Sequence, residues 1–105
     1  MNGKKYTVSD FRKLKARGEK IVMLTAYDAP AAAIAVKAGV EMLLVGDSMA
    51  MTVLGYANTL PLTIDEALHH AKAVRRGAPD AFVIGDMPFL SFQISVEEAL
   101  RNAGR

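Results

Sequence analysis

Residues 42–51 read MLLVGDSMAM, a stretch in which four apolar residues are followed at once by the tripeptide GDS. A short apolar run that ends at a glycine is typical of a β-strand buried on both faces. Two similar segments occur along the chain, IVMLTAY at residues 21–27 and AFVIGD at residues 81–86. All three runs end in or beside an aspartate, so the ends of the predicted strands are candidate functional positions.

Helical patterns separate these predicted strands. Residues 7–18 carry apolar side chains at helical spacing, and residues 29–39 form an Ala-rich stretch with a proline near its start and a glycine at its end. Two pairs with the spacing of a capping box predict two further helices, and these pairs are Thr63 with Glu66 and Ser95 with Glu98. Alternating strands and helices predict an α/β fold with right-handed crossovers between parallel strands.

Length and composition limit the domain number and the cellular setting. The 105 residues, of which 51% are hydrophobic and 23% are charged, fit one globular domain. No apolar segment approaches the ~18 residues of a membrane-spanning helix, and no secretory signal is recognisable, so we predict no membrane partner. The chain has no cysteine. This fits a reducing compartment, and we expect the cytoplasm.

Positive charge is concentrated near the N-terminus. Residues 1–20 contain seven Lys or Arg against Asp10 and Glu19, in a chain whose net charge is +2. Such a run can contact nucleic acid, but it is also typical of a solvated helix face. Only Tyr6 and Phe11 are available there to stack on bases. We therefore favour the solvated face and predict no nucleic-acid partner.

The aspartates after the second and third predicted strands, Asp47 and Asp86, are candidate ligands of a divalent cation. Carboxyl ends of parallel strands share one edge of the sheet, where α/β folds bind ligands. If these strands are neighbours, about 4.8 Å apart, two carboxylates at ~4 Å repel by about 4 kcal/mol at an effective dielectric near 20. A bound proton or a cation relieves this repulsion, and Mg²⁺ suits two carboxylates without His or Cys. The residues alone leave both explanations open.

An aspartate after a strand can also serve only as a helix cap. We expect this role for Asp28, because an Ala-Pro pair that can start a helix follows it. Asp47 and Asp86 fit the role poorly, because residues 49–62 are predicted to be a long loop and residues 87–92 separate Asp86 from the next cap. A helix cap therefore explains them poorly, and the residues alone leave the metal-binding role open.

The two histidines do not form a recognisable metal site. His69 and His70 are adjacent in a predicted helix. Neighbouring positions on a helix lie about 100° apart around its axis, whereas a helical ligand pair needs the i, i+4 spacing. We expect a solvated or half-buried structural role for both side chains.

Four stretches of the chain resemble the ketopantoate hydroxymethyltransferase family: LTAYDAPAA, MLLVGDSMAMTVLGYANTLPLT, HHAKAVRRGAP and GDMPFLSF. The resemblance implies a TIM-type (βα)₈ barrel, of which residues 1–105 supply an N-terminal helix over residues 7–18 and the first three βα units. It also implies transfer of a hydroxymethyl group from 5,10-methylenetetrahydrofolate to 3-methyl-2-oxobutanoate. The reaction uses Mg²⁺ and gives 2-dehydropantoate in pantothenate biosynthesis.

The resemblance assigns roles to individual residues. It makes Asp47 and Asp86 ligands of Mg²⁺ and, together with Ser48, binding residues for the 2-oxo acid, whose carboxylate Ser48 contacts. It places the general base beyond Arg105, so no catalytic residue is assigned in this chain. Because such a barrel needs about 250 residues, we expect a fragment with negligible activity alone. The remainder of the barrel, or a homo-oligomer, would cover its open sheet edge.

Two other functions are compatible with the residues. One is a Mg²⁺-dependent 2-oxo acid enzyme similar to phosphoenolpyruvate mutase and isocitrate lyase, although the long segment between GDS and TLP argues against it. The other is a small α/β assembly module without enzymatic activity. A cooperatively unfolding monomer with no affinity for Mg²⁺ would indicate that module.

Overall fold

The structure is a computed structural model that describes residues 5–105, and in this range it contains one parallel sheet of three strands and five helices. The helices are α1 (Val8–Ala16), α2 (Ala29–Lys37), α3 (Met49–Thr52), α4 (Ile64–Gly77) and α5 (Val96–Ala103). The strands are β1 (Met23–Thr25), β2 (Met42–Val45) and β3 (Phe82–Gly85). The strand order is β1-β2-β3, with β2 parallel to both neighbours. The predicted α/β fold with parallel strands is confirmed.

The strands are shorter than the sequence pattern predicts. Strand β1 covers three residues, although the apolar run extends over residues 21–27. Pairing with β2 continues only slightly further, because the Met42 N–H donates to the Val22 carbonyl and the Ala26 N–H donates to the Leu44 carbonyl. The apolar run is therefore longer than the strand itself.

The predicted loop over residues 49–62 is wrong at its start. Residues Met49–Thr52 form α3, a single helical turn that begins directly after Ser48. A helix of four residues is too short to show a 3.6-residue period, so the sequence pattern does not reveal it. Met49 and Ala50 are fully buried in the core, which explains why this turn is held in place.

Side chains of β2 divide the sheet into two faces. Leu43 and Val45 are completely buried, whereas Met42 and Leu44 are half-buried. Leu43 and Val45 belong to a core that includes buried residues of the helices α2 and α4, namely Ala32, Ala35, Ala67 and Val74. These two helices therefore cover one face. Because side chains alternate along a strand, Met42 and Leu44 point to the opposite face.

Helix α1 packs against β3 through aromatic side chains. The rings of Phe11 and Phe82 meet edge to face with their centroids 4.9 Å apart. Phe82 is paired in register with Met42, so this contact lies on the face opposite α2 and α4. The helix has a capping box between Thr7 and Asp10, which fixes its start as the sequence predicts for Thr7.

Small residues allow α2 and α4 to approach each other closely. At the last position of α4, a Cβ atom on Gly77 would lie 2.2 Å from the carbonyl oxygen of Ala29 and 2.6 Å from its Cα. Backbone atoms cannot move away as a flexible side chain can, so only glycine fits at this contact. No local sequence pattern predicts this contact, because Ala29 and Gly77 are far apart in the chain.

Arg75 holds the turn between α4 and β3. Its Nη1, which carries two N–H protons, lies 3.2, 3.1 and 2.7 Å from the backbone carbonyl oxygens of Ala78, Pro79 and Ala81, so that one proton is shared between two acceptors. A guanidinium group has several donors in fixed directions, which suits a cluster of carbonyls at the end of a helix. This interaction sets the point at which the chain enters β3.

Of the two predicted capping boxes, one is complete and the other is formed in part. Thr63 and Glu66 form the predicted capping box: the Thr63 hydroxyl accepts from the Glu66 N–H at 3.0 Å, and Glu66 Oε1 accepts from the Thr63 N–H at 2.9 Å. The Ser95 hydroxyl accepts from the Glu98 N–H at 3.1 Å. The Glu98 carboxylate instead contacts Arg101 at 3.4 Å, so the reciprocal half of that predicted box is wrong.

Glu66 also connects α4 to the segment before it. Its Oε2 accepts a hydrogen bond of 2.7 Å from the Tyr56 hydroxyl. The bond from the Thr63 N–H, and then that from Tyr56, lower the pKa of Glu66, while the same Glu66 contact raises the pKa of Tyr56. In its ionised form, the Glu66 carboxylate therefore caps α4 and holds Tyr56 in the preceding segment.

None of the helices within residues 5–105 has both the length and the apolar character needed to cross a membrane.

We expect Gly77→Ala to destabilise the chain by about 1–3 kcal/mol, because the added Cβ forces the two helices apart. Helix propensity alone predicts the opposite sign, since alanine exceeds glycine by ~1 kcal/mol. Urea unfolding followed by circular dichroism measures the difference. Gly85→Ala is the control, because a Cβ there meets no atom within 4 Å. A Gly77→Ala variant as stable as the parent would disprove the tight contact.

We expect Glu66→Gln to remove a pH-dependent part of the stability. A lowered folded-state pKa means that ionised Glu66 stabilises the fold above its ordinary pKa of about 4.3, and this contribution is lost as pH falls through the lowered value. The free energy of unfolding of the parent should thus exceed that of Glu66→Gln most at neutral pH. The difference should shrink on acidification.

Urea unfolding between neutral pH and about pH 3, across the ordinary glutamate range, measures this difference. Glu97→Gln is the matched control, because Glu97 is an exposed glutamate in the first turn of α5. If the free energies of unfolding of the parent and of Glu66→Gln differed by the same amount at every pH, this result would contradict the role of the ionised carboxylate.

Candidate metal and substrate site

The carboxyl ends of β2 and β3 bring Asp47 and Asp86 into contact. Val45 and Gly85 are opposite each other in the register, so the residues that follow the two strands are neighbours. Asp86 Oδ2 accepts a hydrogen bond of 3.1 Å from the backbone N–H of Asp47. The two strands are neighbours, and the Asp86 carboxylate lies against the backbone of Asp47.

Gly46 makes room for the Asp86 carboxylate. A Cβ atom at position 46 would lie 3.3 Å from Asp86 Oδ2, which is closer than an ordinary van der Waals contact. Gly46 itself is buried, while Asp86 is exposed. The absence of a side chain thus allows the carboxylate to lie against the backbone of β2 and to reach the Asp47 N–H.

Both carboxylates have oxygen atoms available to a ligand. Asp86 uses Oδ2 for the Asp47 N–H, which leaves Oδ1 for another partner. Among the described residues, the half-buried carboxylate of Asp47 forms no hydrogen bond or ion pair. Two such carboxylates attract a cation, and their oxygen atoms are ligands that Mg²⁺ and Ca²⁺ prefer.

The donor set is limited to these two carboxylates. Across residues 5–105, no group of three or more His, Cys, Asp and Glu side chains is arranged to hold a metal ion. Mg²⁺ commonly binds through one or two carboxylates and keeps several waters, whereas Zn²⁺ prefers nitrogen and sulfur donors. The residues present therefore fit Mg²⁺ with open positions for water or a substrate.

Ser48 directly follows Asp47, and its hydroxyl contacts a residue that follows the first strand. Its hydroxyl is 2.6 Å from the hydroxyl of Tyr27, which follows β1. The Tyr27 carbonyl oxygen is in turn 2.7 Å from Nδ1 of His70 on α4. Since a carbonyl only accepts, Nδ1 carries the proton and donates it. Ser48, Tyr27 and His70 thus form a chain of contacts between two strand ends and a helix.

Sequence reasoning did not identify Tyr27 or His70 as part of this arrangement. His70 is half-buried in a structural role, as predicted, and His69 is exposed beside it. A signal for Tyr27 was present, because it follows the first strand at nearly the level at which Ser48 follows the second. Neither contact could be assigned before the strands were known to be adjacent.

Asp28 has the structural role that the sequence predicted. Its Oδ1 accepts a hydrogen bond of 2.8 Å from the Ala31 N–H, which caps the start of α2. This aspartate is therefore used by the backbone of a helix. Of the three aspartates at strand ends, only Asp47 and Asp86 remain as ligand candidates.

Comparison with known proteins identifies relatives of the chain. The model of the family described as Ketopantoate hydroxymethyltransferase matches residues 5–105. The chain is 60% identical over 99 residues to the 3-methyl-2-oxobutanoate hydroxymethyltransferase of Geobacillus sp. (strain WCH70), which covers 94% of the chain and 36% of that relative. It is 59% identical over 103 residues to the protein of the same name from Syntrophus aciditrophicus (strain SB). This match covers 98% of the chain and 38% of that relative.

A third relative with this name, from Thermotoga sp. (strain RQ2), is 59% identical over 98 residues, which is 93% of the chain and 36% of the relative. The chain thus spans little more than a third of the length of the curated relatives it matches. Because the family model covers nearly the whole chain and these relatives agree with it, the chain belongs to the ketopantoate hydroxymethyltransferase family.

Proposed function

We propose that this chain is the N-terminal part of an enzyme that transfers a hydroxymethyl group from 5,10-methylenetetrahydrofolate to 3-methyl-2-oxobutanoate. The product is 2-dehydropantoate, and the pathway is pantothenate biosynthesis. The observation that supports the proposal is the 3.1 Å hydrogen bond between Asp86 Oδ2 and the backbone N–H of Asp47, because it brings the Asp86 carboxylate to a second aspartate at one strand edge in a chain of this family. A 2-oxo acid offers that edge two adjacent oxygen-bearing groups.

Asp47 and Asp86 are the residues of this chain that would hold Mg²⁺. When bound, Mg²⁺ supplies Lewis acidity that polarises the carbonyl of a 2-oxo acid. Asp86 is oriented for this by its bond to the Asp47 N–H and by the space above Gly46. Ser48 binds the carboxylate of the 2-oxo acid through its hydroxyl, which orients the substrate relative to both aspartates.

The proton-removing base is assigned to a part of the enzyme beyond Arg105. Within residues 5–105, the polar side chains at the strand ends are accounted for by the ligand pair, by Ser48 and Tyr27, and by the Asp28 cap. This segment therefore binds and orients a substrate. It is expected to lack turnover by itself.

We also infer that the three βα units are the opening part of a TIM-type barrel. Their strand order follows the chain order, without the reversal that marks a doubly wound sheet. Helices α2 and α4 cover one face, as helices cover the outside of a barrel. Met23 and Leu24 on the edge strand β1 are 47% and 48% exposed. Further strands at the open edges would cover such apolar side chains.

Apolar side chains near the C-terminal helix support assembly with more protein. Val96 and Leu100 of α5 are 72% and 69% exposed, and Phe89 and Phe92 in the preceding segment are about half exposed. An exposed apolar surface of this kind favours burial against another element. We propose that the remainder of the barrel or a second copy of the enzyme covers it, and that the assembly works in the cytoplasm.

We expect the chain to bind Mg²⁺ and each of Asp47→Asn and Asp86→Asn to weaken that binding about tenfold or more, equivalent to about 1.4 kcal/mol. Each variant removes one of two charged oxygen donors while preserving the shape of the side chain. A Mg²⁺ titration monitored by amide NMR shifts measures the affinity and locates the site.

Asp80→Asn is the matched control for this titration. Asp80 is exposed and precedes β3, so it lies near the amino end of that strand and its replacement changes the net charge equally. An equal loss in Asp80→Asn would indicate bulk electrostatic attraction. A parent chain that shows no shifts at millimolar Mg²⁺ would contradict the proposed site.

The transfer reaction is tested in a chimera in which residues 1–105 replace the matching segment of the Geobacillus relative. We expect the chimera to form 2-dehydropantoate from the two substrates, and Asp86→Asn to lower its kcat/KM about tenfold or more, which corresponds to about 1.4 kcal/mol. We expect no product from the isolated chain. Turnover by the isolated chain would refute the assignment of the base to another segment.

A further inference from the structure

We propose that Tyr27 is a positioning residue for the 2-oxo acid, because its hydroxyl holds the Ser48 hydroxyl in the orientation that binds the substrate carboxylate. The proposal deepens the function proposed above and rests on it. Tyr27 acts through Ser48, so a test must separate its effect on the substrate from any effect on the fold.

The contact between the two hydroxyls joins two strand ends. The oxygen atoms of Tyr27 and Ser48 are 2.6 Å apart in a partly buried position, although the residues are 21 positions apart in the chain. A distance this short is typical of a well-formed hydrogen bond between hydroxyls. Tyr27 lies two residues beyond β1 and Ser48 three residues beyond β2, so both belong to the edge that carries Asp47.

The Ser48 hydroxyl has no capping role that would explain the contact. Ser48 occupies the N-cap position of α3, but its side chain makes no capping hydrogen bond. At Thr7, Asp28, Thr63 and Ser95 the N-cap side chains do accept a backbone N–H. The hydroxyl of Ser48 is thus directed to Tyr27, where it contributes nothing to the start of the helix.

Tyr27 is itself fixed from both sides of its backbone. His70 Nδ1–H donates to the Tyr27 carbonyl at 2.7 Å, which ties this residue to α4. The next residue, Asp28, is fixed by its bond to the Ala31 N–H. Because the Tyr27 carbonyl is bonded to α4 and the next residue caps α2, the position of Tyr27 is restricted, and less conformational entropy is lost when its hydroxyl contacts Ser48.

Proton counting explains how this contact assists an anionic substrate. Each hydroxyl has one proton to donate and lone pairs to accept. When Tyr27 donates to Ser48 Oγ, the Ser48 proton remains available for a carboxylate oxygen of the substrate. Hydrogen bonds arranged in one direction strengthen one another. Without the tyrosine hydroxyl, the serine can rotate to a local backbone acceptor, as serine side chains commonly do.

The test measures binding of 3-methyl-2-oxobutanoate to this chain in the presence of Mg²⁺ by amide NMR titration. We expect Tyr27→Phe to raise the Kd for the 2-oxo acid about three- to tenfold, the effect of one net hydrogen bond. The Kd for Mg²⁺ should not change. Tyr56→Phe is the matched control, since it removes a tyrosine hydroxyl bonded to Glu66 at 2.7 Å and should leave both constants unchanged.

A double-mutant cycle with Ser48→Ala identifies the route of the effect. If Tyr27 acts through Ser48, Tyr27→Phe should have no further effect on the Kd in the Ser48→Ala background. Additive effects of the two substitutions would overturn the proposal, and so would a parent-like Kd in Tyr27→Phe. Amide spectra of each variant report whether the fold is retained, and Ser48→Ala tests the hydroxyl pair from its other side.

The outcomes separate this proposal from the proposed function. A parent chain that binds Mg²⁺ and the 2-oxo acid, with Tyr27→Phe unchanged, overturns the positioning role alone. A parent chain that binds neither ligand overturns both. In the chimera with the Geobacillus relative, Tyr27→Phe should raise the KM for the 2-oxo acid and leave the KM for the folate co-substrate unchanged, whereas a general structural defect would alter both.

Discussion

Parallel pairing of β2 with β3 is the constraint on which the candidate site depends. The register that places Val45 opposite Gly85 also places the residue after Gly46 beside Asp86. Side chains alternate along a strand, so a shift of one residue in this register would move Asp86 to the other face of the sheet and break its contact with the Asp47 N–H. The chemistry proposed for this edge therefore rests on backbone hydrogen bonds between two short strands.

Helix α4 packs in the core and also contacts the carboxyl edge of the sheet. Its buried Ala67 belongs to the same core as α2, its Gly77 lies against Ala29, and its His70 donates to the Tyr27 carbonyl. The residues that hold α4 in place thus also affect the position of Tyr27, which follows the first strand. A substitution that moved α4 relative to the sheet would disturb Tyr27 and Ser48 before it reached the aspartates.

The proposed function assigns substrate binding, and not proton removal, to this chain. In the proposed site, the carboxylates of Asp47 and Asp86 and the hydroxyl of Ser48 bind and orient an anionic 2-oxo acid, and the chain spans little more than a third of the length of its relatives. Exposed apolar side chains on β1 and α5 agree with burial against further elements. Family membership and surface character therefore both support the proposal that this segment acts within a larger protein.

Features that depend on neighbouring residues could be predicted from the amino-acid sequence: the alternation of strands and helices, the cap at Asp28 and the capping box at Thr63. Local hydrogen bonds and short-range periodicity encode these features, so they can be read from a few consecutive residues. The contacts of Tyr27 with Ser48 and His70, which lie 21 and 43 residues away, could not be predicted and are seen only in the folded chain. Such contacts exist because the parallel pairing of distant segments brings their ends together, and no local pattern records that pairing.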